Sequence, residues 1–258
     1  MSTVDDIEAV ARAAVLAGGD VLRARYHVGD DEATYTAHDV KAAADEAAEE
    51  RMLPVIRRAF PDHTVFSEEA GEFAGTGSYR WIVDPLDGTN NFTAGLPTFA
   101  SAVSVTDGGA PLLAAVHQPV TDETYVVRRG AGVRYAGAQV TTESSVPVDA
   151  ATVAFIVGRD VPREVDLSRQ ARAIQQTLGG AVKRVCPSWA PTVHSGLFAR
   201  GRIQGLVEFH PDEEERVVTQ LLASEAGAIT ERDGPIFVAA STREVFTALW
   251  ETVTDARS

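Results

Sequence analysis

The segment Trp81-Ile82-Val83-Asp84-Pro85-Leu86-Asp87-Gly88-Thr89-Asn90-Asn91-Phe92 holds the residue types best suited to chemistry. Its apolar start reads as a buried strand that delivers Asp84 to its end. Pro85 then fixes a turn, and Asp87-Gly88-Thr89 opens a tight loop. The glycine lets backbone N–H groups of that loop approach a ligand. Two carboxylates three residues apart, with the Leu86 carbonyl between them, are hard oxygen donors of the kind Mg²⁺ prefers. Asp-Gly is also a commonplace turn, and Asp84 alone would serve as a strand-end cap. A second acidic pair, in Ser67-Glu68-Glu69, weighs toward the first reading because it ends the preceding strand. If the two strands are neighbours, Glu68 meets Asp84 and Asp87 at one rim, where gathered like charges need a cation to offset their repulsion. Mg²⁺ usually keeps several waters and completes its shell with substrate phosphate. A few carboxylates beside an N–H-rich turn therefore point to phosphoryl chemistry, with the Thr89 hydroxyl orienting a water.

Those residues must be positioned by a chain of 258 residues, long enough for one large domain or two smaller ones. With 45% hydrophobic and 23% charged positions it is neither disordered, collagenous nor a coiled coil. No apolar run approaches a membrane span, and the acidic N-terminus is unlike a signal peptide, which predicts a soluble, cytoplasmic protein. Cys186 is the only cysteine, so no internal disulfide forms and no Cys/His cluster offers a structural zinc site. The formal charge of −14 repels nucleic-acid polymers and anionic membranes. Lysine occurs only at Lys41 and Lys183, a bias suggestive of a salt-adapted or GC-rich source. An acidic chain that handles an anion needs a local positive field, and a bound metal is the natural supplier.

Apolar residues from Val4 to Tyr26 recur at helical spacing, with Thr3 or Ser2 as cap. A second helix is predicted from about Ala42 to Phe60, kinked or broken at Pro54 and stopped by Pro61. Short runs then read as strands of a mostly antiparallel sheet: His63–Phe66, Arg80–Val83, Ala100–Val105, Leu112–Gln118, Glu123–Arg128 and Val133–Tyr135. Thr142 to Asp149 is polar and contains Pro147, the candidate boundary between an N-terminal part, 1–147, and a C-terminal part, 148–258. Beyond it, strands at Thr152–Val157, Ala181–Val185 and Ile203–Phe209 alternate with helices at Val165–Leu178, Thr192–Ala199, Glu213–Ala226 and Arg243–Val253. That alternation predicts a second, α/β layer.

The stretch Asp84-Pro85-Leu86-Asp87-Gly88-Thr89-Asn90-Asn91-Phe92 resembles the signature of the inositol monophosphatase family. That family lies within the lithium-sensitive, Mg²⁺-dependent phosphatases that include archaeal-type fructose-1,6-bisphosphatases. The segments Asp39-Val40-Lys41-Ala42-Ala43-Ala44-Asp45, Ser67-Glu68-Glu69, Ala199 to Gly205 and Ser224-Glu225-Ala226-Gly227 agree in order and spacing. The resemblance implies an α/β fold, a layered αβαβα sandwich of the sugar-phosphatase type, and a homodimer. It implies two or three Mg²⁺ ions, with Glu68, Asp84 and the Leu86 carbonyl on the first and Asp84 with Asp87 on the second. Gly88 and Thr89 would hold the phosphate through backbone N–H groups, and Thr89 with Asp45 and Glu68 would activate the water. Taken alone, Asp45 reads as an ordinary first-turn helix acid.

The second half departs from the family pattern. Glu215 stands where the family has a further metal-binding Asp, and Glu214 where it has Trp. Asp212-Glu213-Glu214-Glu215 equally reads as a solvated acidic helix start. Trp189-Ala190-Pro191-Thr192 replaces a Gly-Ser-Ala-Ala turn beside the substrate hydroxyls, so Ala190 takes a substrate-side position. Glu208 falls on a hydroxyl-binding acid or is simply a strand-end charge. His117, His194 and His210 read as structural or surface histidines rather than ligands. The expected activity is Mg²⁺-dependent hydrolysis of a small phosphorylated metabolite, such as inositol monophosphate, fructose-1,6-bisphosphate or a nucleotide phosphate. The alternative is an impaired relative that binds a metabolite or regulates.

Overall fold

The computed structural model describes residues 3–29, 32–35 and 40–256. Asp39 of the first resembling segment, and Ser2 as a cap, lie outside the described residues. Helix α1 (Val4–Val28) begins on Thr3, whose hydroxyl accepts the Asp6 N–H while the Asp6 carboxylate accepts the Thr3 N–H, a reciprocal cap. After a two-stranded flap, β1 (Ala33–Tyr35) and β2 (Val40–Ala42), helix α2 (Ala43–Ala59) runs through Pro54 without the expected break. Pro54 is on the exposed face, where water can satisfy the carbonyl that its missing N–H leaves unpaired.

The chain then forms β3 (Thr64–Ser67), β4 (Gly71–Phe73), β5 (Tyr79–Asp87), the short helix α3 (Thr89–Thr93), β6 (Ala100–Asp107), β7 (Ala110–Gln118), β8 (Glu123–Arg128), β9 (Gly132–Tyr135) and β10 (Ala138–Val140). Apart from α3 these are eight strands of one sheet, in the order β10-β9-β8-β7-β6-β5-β3-β4, antiparallel except for the parallel pair β3 and β5. The second half supplies β11 (Thr152–Val157), α4 (Val165–Ala181), β12 (Arg184–Ser188), α5 (Pro191–Ala199), β13 (Gly205–Phe209), α6 (Glu213–Glu225), β14 (Ile229–Asp233), β15 (Ile236–Ala240) and α7 (Arg243–Asp255). Its sheet order is β12-β11-β13-β15-β14.

Alternation along the strands explains the layering, because successive side chains enter opposite cores. On the large sheet, Trp81, Val83, Val103, Val105 and Ala115 pack against Ile7, Ala11, Val15, Met52 and Ile56 of α1 and α2. Its other face, with Ala102, Ala114, Val116 and Tyr125, meets Val193 of α5 and Val218 and Leu222 of α6. On β11, Ala154 and Ile156 join Phe198 and Ala223 of those same helices, whereas Val153 and Phe155 face α4 and α7. The order is helices, sheet, helices, sheet, helices, the αβαβα sandwich expected. Among the described residues, no helix is long and apolar enough to cross a membrane.

Two sequence expectations shift. The strand expected at Ala181–Val185 lies at Arg184–Ser188, because α4 continues to Ala181 before the chain turns. The hairpin β14–β15 had no counterpart in the periodicity reading, although Asp233-Gly234 beside Ile236-Phe237-Val238 is a hairpin signal and Gly234 takes φ +57°.

Close approach of α1 to its neighbours requires the Gly18-Gly19 pair, despite the roughly 1 kcal/mol that each glycine costs a helix interior. A Cβ at Gly19 would stand 2.3 Å from the buried His117 ring, and one at Gly18 would stand 2.5 Å from the Met52 sulfur. Gly19→Val is expected to destabilise the fold by about 1–3 kcal/mol, read as a lowered urea midpoint. An unchanged midpoint would show that helix and sheet do not meet there.

Candidate active site

Strand β5 carries the expected acids, but it does not end at Asp84. It continues through Pro85 and Leu86 to Asp87, and its register slips: Asp84 faces Ala102 while Asp87 faces Ala100. Three steps on β5 against two on β6 make a bulge. That surplus residue accommodates a proline with no N–H to donate and re-aims the side chains, so both acids line one cleft. The parallel pairing of β3 with β5 puts Ser67 beside Val83, and the Glu68 N–H donates to the Val83 carbonyl at 3.3 Å. Glu68 thereby reaches the same rim, as the spacing implied.

After Asp87 the chain turns on Gly88 at φ +95°, a backbone that favours glycine. There is also no room for a side chain, since a Cβ there would meet Ala190 Cβ at 3.0 Å and the Thr98 and Trp189 carbonyl oxygens at 3.1 and 3.2 Å. The Thr89 hydroxyl lies 3.2 Å from Asp45 Oδ1 and 3.1 Å from the Leu86 carbonyl, and its single proton serves one of them at a time. The other Asp45 oxygen accepts the Ala42 N–H at the start of α2. Asp45 is thus both a helix-start acid and a member of the site.

The cleft, about 340 Å³, is lined by Glu68, Asp84, Asp87 and Glu215 together with Asp212 and Glu214. Burial, followed by the charges of Glu68, Asp87, Glu215 and Asp45, pushes Asp84 well above the usual carboxylate range. Glu215 is pushed up likewise by burial and by Asp87, Asp212 and Glu68. Burial raises Asp45 to about 7 against its backbone hydrogen bond, and raises Asp87 to about 6 against its bonds to Thr192 and Val193. Two oxygens, Asp84 Oδ1 and Glu215 Oε2, are buried without a hydrogen-bond partner. Crowded desolvated carboxylates with unpartnered oxygens fit a hard divalent cation. Among the described residues no three acidic, His or Cys side chains are already gathered into a metal cage. Four of the acids, Glu68, Asp87, Asp212 and Glu214, are held by other partners.

Those partners escaped the sequence reading. Arg159, just after β11, ion-pairs with Glu68 and reaches Asp212 at 3.5 Å and Glu214 at 3.4 Å, and its backbone N–H donates to Asp212 at 2.9 Å. Burial opposes its charge, but Glu68, Asp212 and Glu214 outweigh that and keep it protonated. Asp87 accepts the Thr192 N–H at 2.9 Å and the Thr192 hydroxyl, so it caps the N-terminus of α5 from across the cleft. Neither contact has a local sequence signal. An arginine near the end of a strand in the second half was the available hint.

Two expected substrate-side residues are not on the cleft wall. Ala190 is fully buried beneath Gly88, so Trp189 and Pro191 line the cleft in its place. Glu208 is fully buried, accepts from the Thr219 hydroxyl and from Gln220 Nε2 at 2.6 Å, and serves to hold α6 against β13. His117 bonds Thr124 and His194 bonds Ser188, both structural as expected.

The raised carboxylates predict a specific pH dependence. An ordinary aspartate titrates near pH 4 in the unfolded chain, whereas folded Asp45 does so at about 7. Between those values the metal-free native state binds more protons than the unfolded chain. Its stability therefore falls as pH rises through the window and levels off above it. Cation binding needs the carboxylates ionised. Added Mg²⁺ should accordingly raise Tm more at about pH 8 than at about pH 5. Equal shifts would separate the cleft acids from cation binding.

The chain is similar to known proteins in sequence and in fold. The chain is 29% identical over 222 residues to the fructose-1,6-bisphosphatase/inositol-1-monophosphatase of Aquifex aeolicus, covering 85% of this chain and 83% of that one. It is 28% identical over 227 residues to Nus factor SuhB of Escherichia coli, covering 85% and 82%. An inositol monophosphatase structure from Anabaena (Nostoc) superposes with a TM-score of 0.83 at 22% identity over 98% of this chain and 97% of that one. Residues 3–245 match the model of the inositol monophosphatase family, and the chain belongs to that family.

Proposed function

We propose that the chain is a Mg²⁺-dependent phosphatase that hydrolyses a small phosphate monoester by direct attack of water. The observation that carries this reading is the pair of unpartnered buried oxygens, Asp84 Oδ1 and Glu215 Oε2, lining the cleft that also holds the Gly88-Thr89 turn. Glu68, Asp84, the Leu86 carbonyl, Asp87 and Glu215 would hold two or three ions, which neutralise phosphoryl and leaving-group charge when bound. Glu215 is one methylene longer than aspartate, and its recruitment from the first turn of α6 fits that reach.

The remaining roles belong to this chain's own groups. The N–H groups of Gly88 and Thr89 orient the phosphate. The Thr89 hydroxyl accepts a proton from the attacking water and passes its own to Asp45 Oδ1. The water oxygen bonds to phosphorus as the ester oxygen leaves. A carboxylate raised to about 7 suits a general base at neutral pH. Glu68 supports the water once Arg159 turns fully to Asp212 and Glu214. A division at residues 147/148 gives Asp45, Glu68, Asp84 and Asp87 to the first part and Arg159, Trp189 and Glu215 to the second. The cleft is then complete only when the parts pack. The same reading carries a homodimer in the cytoplasm, checked by sedimentation and fractionation.

A second reading rests on the ion pair between Arg159 and Glu68, which occupies a proposed ligand. In that case the chain is an impaired relative with a binding or regulatory role, and a relative named a Nus factor is in keeping with it.

Phosphate release from a panel of phosphorylated metabolites, with and without Mg²⁺ and with added Li⁺, separates the two. Turnover that requires Mg²⁺ and is inhibited by Li⁺ is expected, and a folded protein silent on the whole panel favours the second reading. Asp84→Asn and Asp87→Asn should each lower the rate by orders of magnitude, and near-normal rates would remove these acids from the site. Asp45→Asn should lower kcat by about 10²–10⁴ with little change in KM. A change confined to KM would contradict its role as base.

A further inference from the structure

The cleft is lined by two unlike sets of residues. Besides the carboxylates and the Gly88 turn, its lining includes Phe155, Val157, Pro162, Pro187, Trp189 and Pro191. Trp189 follows β12 directly and is 59% exposed, among the few large hydrophobic side chains left open to solvent. An indole is usually well covered, so an exposed one beside a cleft is a ready contact surface. Its backbone is held in place, because the Trp189 carbonyl lies 3.2 Å from where a Gly88 Cβ would sit and Pro191 begins α5 two residues on. The indole is therefore anchored next to the turn that would hold the phosphate.

Several polar groups near these rings are otherwise engaged, although Asn90 and Gln175 also line the cleft. The Ser188 hydroxyl bonds His194 Nδ1 at 2.8 Å. Both Glu208 oxygens are taken by Thr219 and Gln220 inside the core. Asp212 and Glu214 are held by Arg159. Hydroxyls of a polyol placed against the proline and indole rings would forfeit their hydrogen bonds to water there. A flat ring would instead gain contact over its whole face.

Building on the phosphatase reading above, we propose that Trp189 is a stacking platform for the leaving group. The substrate is then a phosphate monoester bearing a planar unsaturated ring, of nucleoside or aryl type, in preference to a polyol. Trp189 is a specificity residue in this scheme, and the chemistry stays with the carboxylates and the Gly88-Thr89 turn.

The test compares kcat/KM for adenosine 3′-monophosphate, phenyl phosphate and inositol 1-phosphate in the wild type, Trp189→Ala and Trp189→Phe. The wild type should prefer a ring-bearing ester. Trp189→Ala should reduce the ratio of ring to polyol efficiency at least tenfold, through KM, and Trp189→Phe should restore most of it. Preference for adenosine 3′-monophosphate over phenyl phosphate would identify a nucleoside as the ring source, and the reverse an aryl group. A wild-type preference for inositol 1-phosphate, or a ratio unmoved by Trp189→Ala, would overturn the proposal. A second readout does not depend on turnover: titration with adenosine 3′-monophosphate in Ca²⁺ should quench tryptophan fluorescence in the wild type and not in Trp189→Phe. Trp81, buried in the core, does not contribute to that difference. If no ester is hydrolysed but quenching occurs, the phosphatase reading fails and the platform stands. Turnover of ring esters without quenching, and without effect of Trp189→Ala, has the opposite meaning.

Discussion

Gathering carboxylates in a cleft shielded from water is the constraint around which this fold is arranged. Asp45, Asp84, Asp87 and Glu215 are each raised above their ordinary range, with burial the largest cause and neighbouring acids adding to it for all but Asp87. Such a cluster is tolerable only if protonated, paired or bound to a cation. Each local oddity of the site has a place in meeting that demand. The bulge in β5 brings Asp84 and Asp87 to one side, the parallel step from β3 adds Glu68, and Arg159 answers three acids with one charge.

The same acids tie the two sheets together. Asp87 at the end of a strand in the first sheet caps α5, a helix sandwiched between the sheets. Glu215 comes from α6, the other helix of that middle layer. The cleft is thus a joint as well as a site, and its geometry depends on how the central helices are packed. Gly88 sits at the tightest point of that joint, where a side chain would collide with Ala190 and with two backbone carbonyls. The glycine is required by that packing and by its positive φ.

In this chain part of the cleft lining is made of rings, Trp189 with flanking prolines, while Glu208 lies in the core. Arg159 adds a second individual feature, a cation among the acids of a lysine-poor, negatively charged protein. Both features come from the half of the chain whose motifs depart furthest from the family pattern.

How much was legible in advance follows from the range of the interactions involved. The amphipathic helices at Val4–Val28 and Ala43–Ala59, the strands carrying Glu68 and Asp84, and the Asp87-Gly88-Thr89 turn are written in local periodicity and turn chemistry, which a sequence carries in full. The pairing of Asp45 with Thr89 became readable only through resemblance, since 44 residues separate them. Strand-periodicity reading also placed the β5 terminus at Asp84, whereas sheet register carried it through a proline to Asp87. Tertiary packing alone decided that Arg159 holds Glu68, 91 residues away, that Thr192 holds Asp87 across 105, and that Trp189 rather than Ala190 faces the cleft. Such contacts are set by the docking of one sheet on another. A side chain's partner there depends on three-dimensional neighbours that no spacing along the chain encodes.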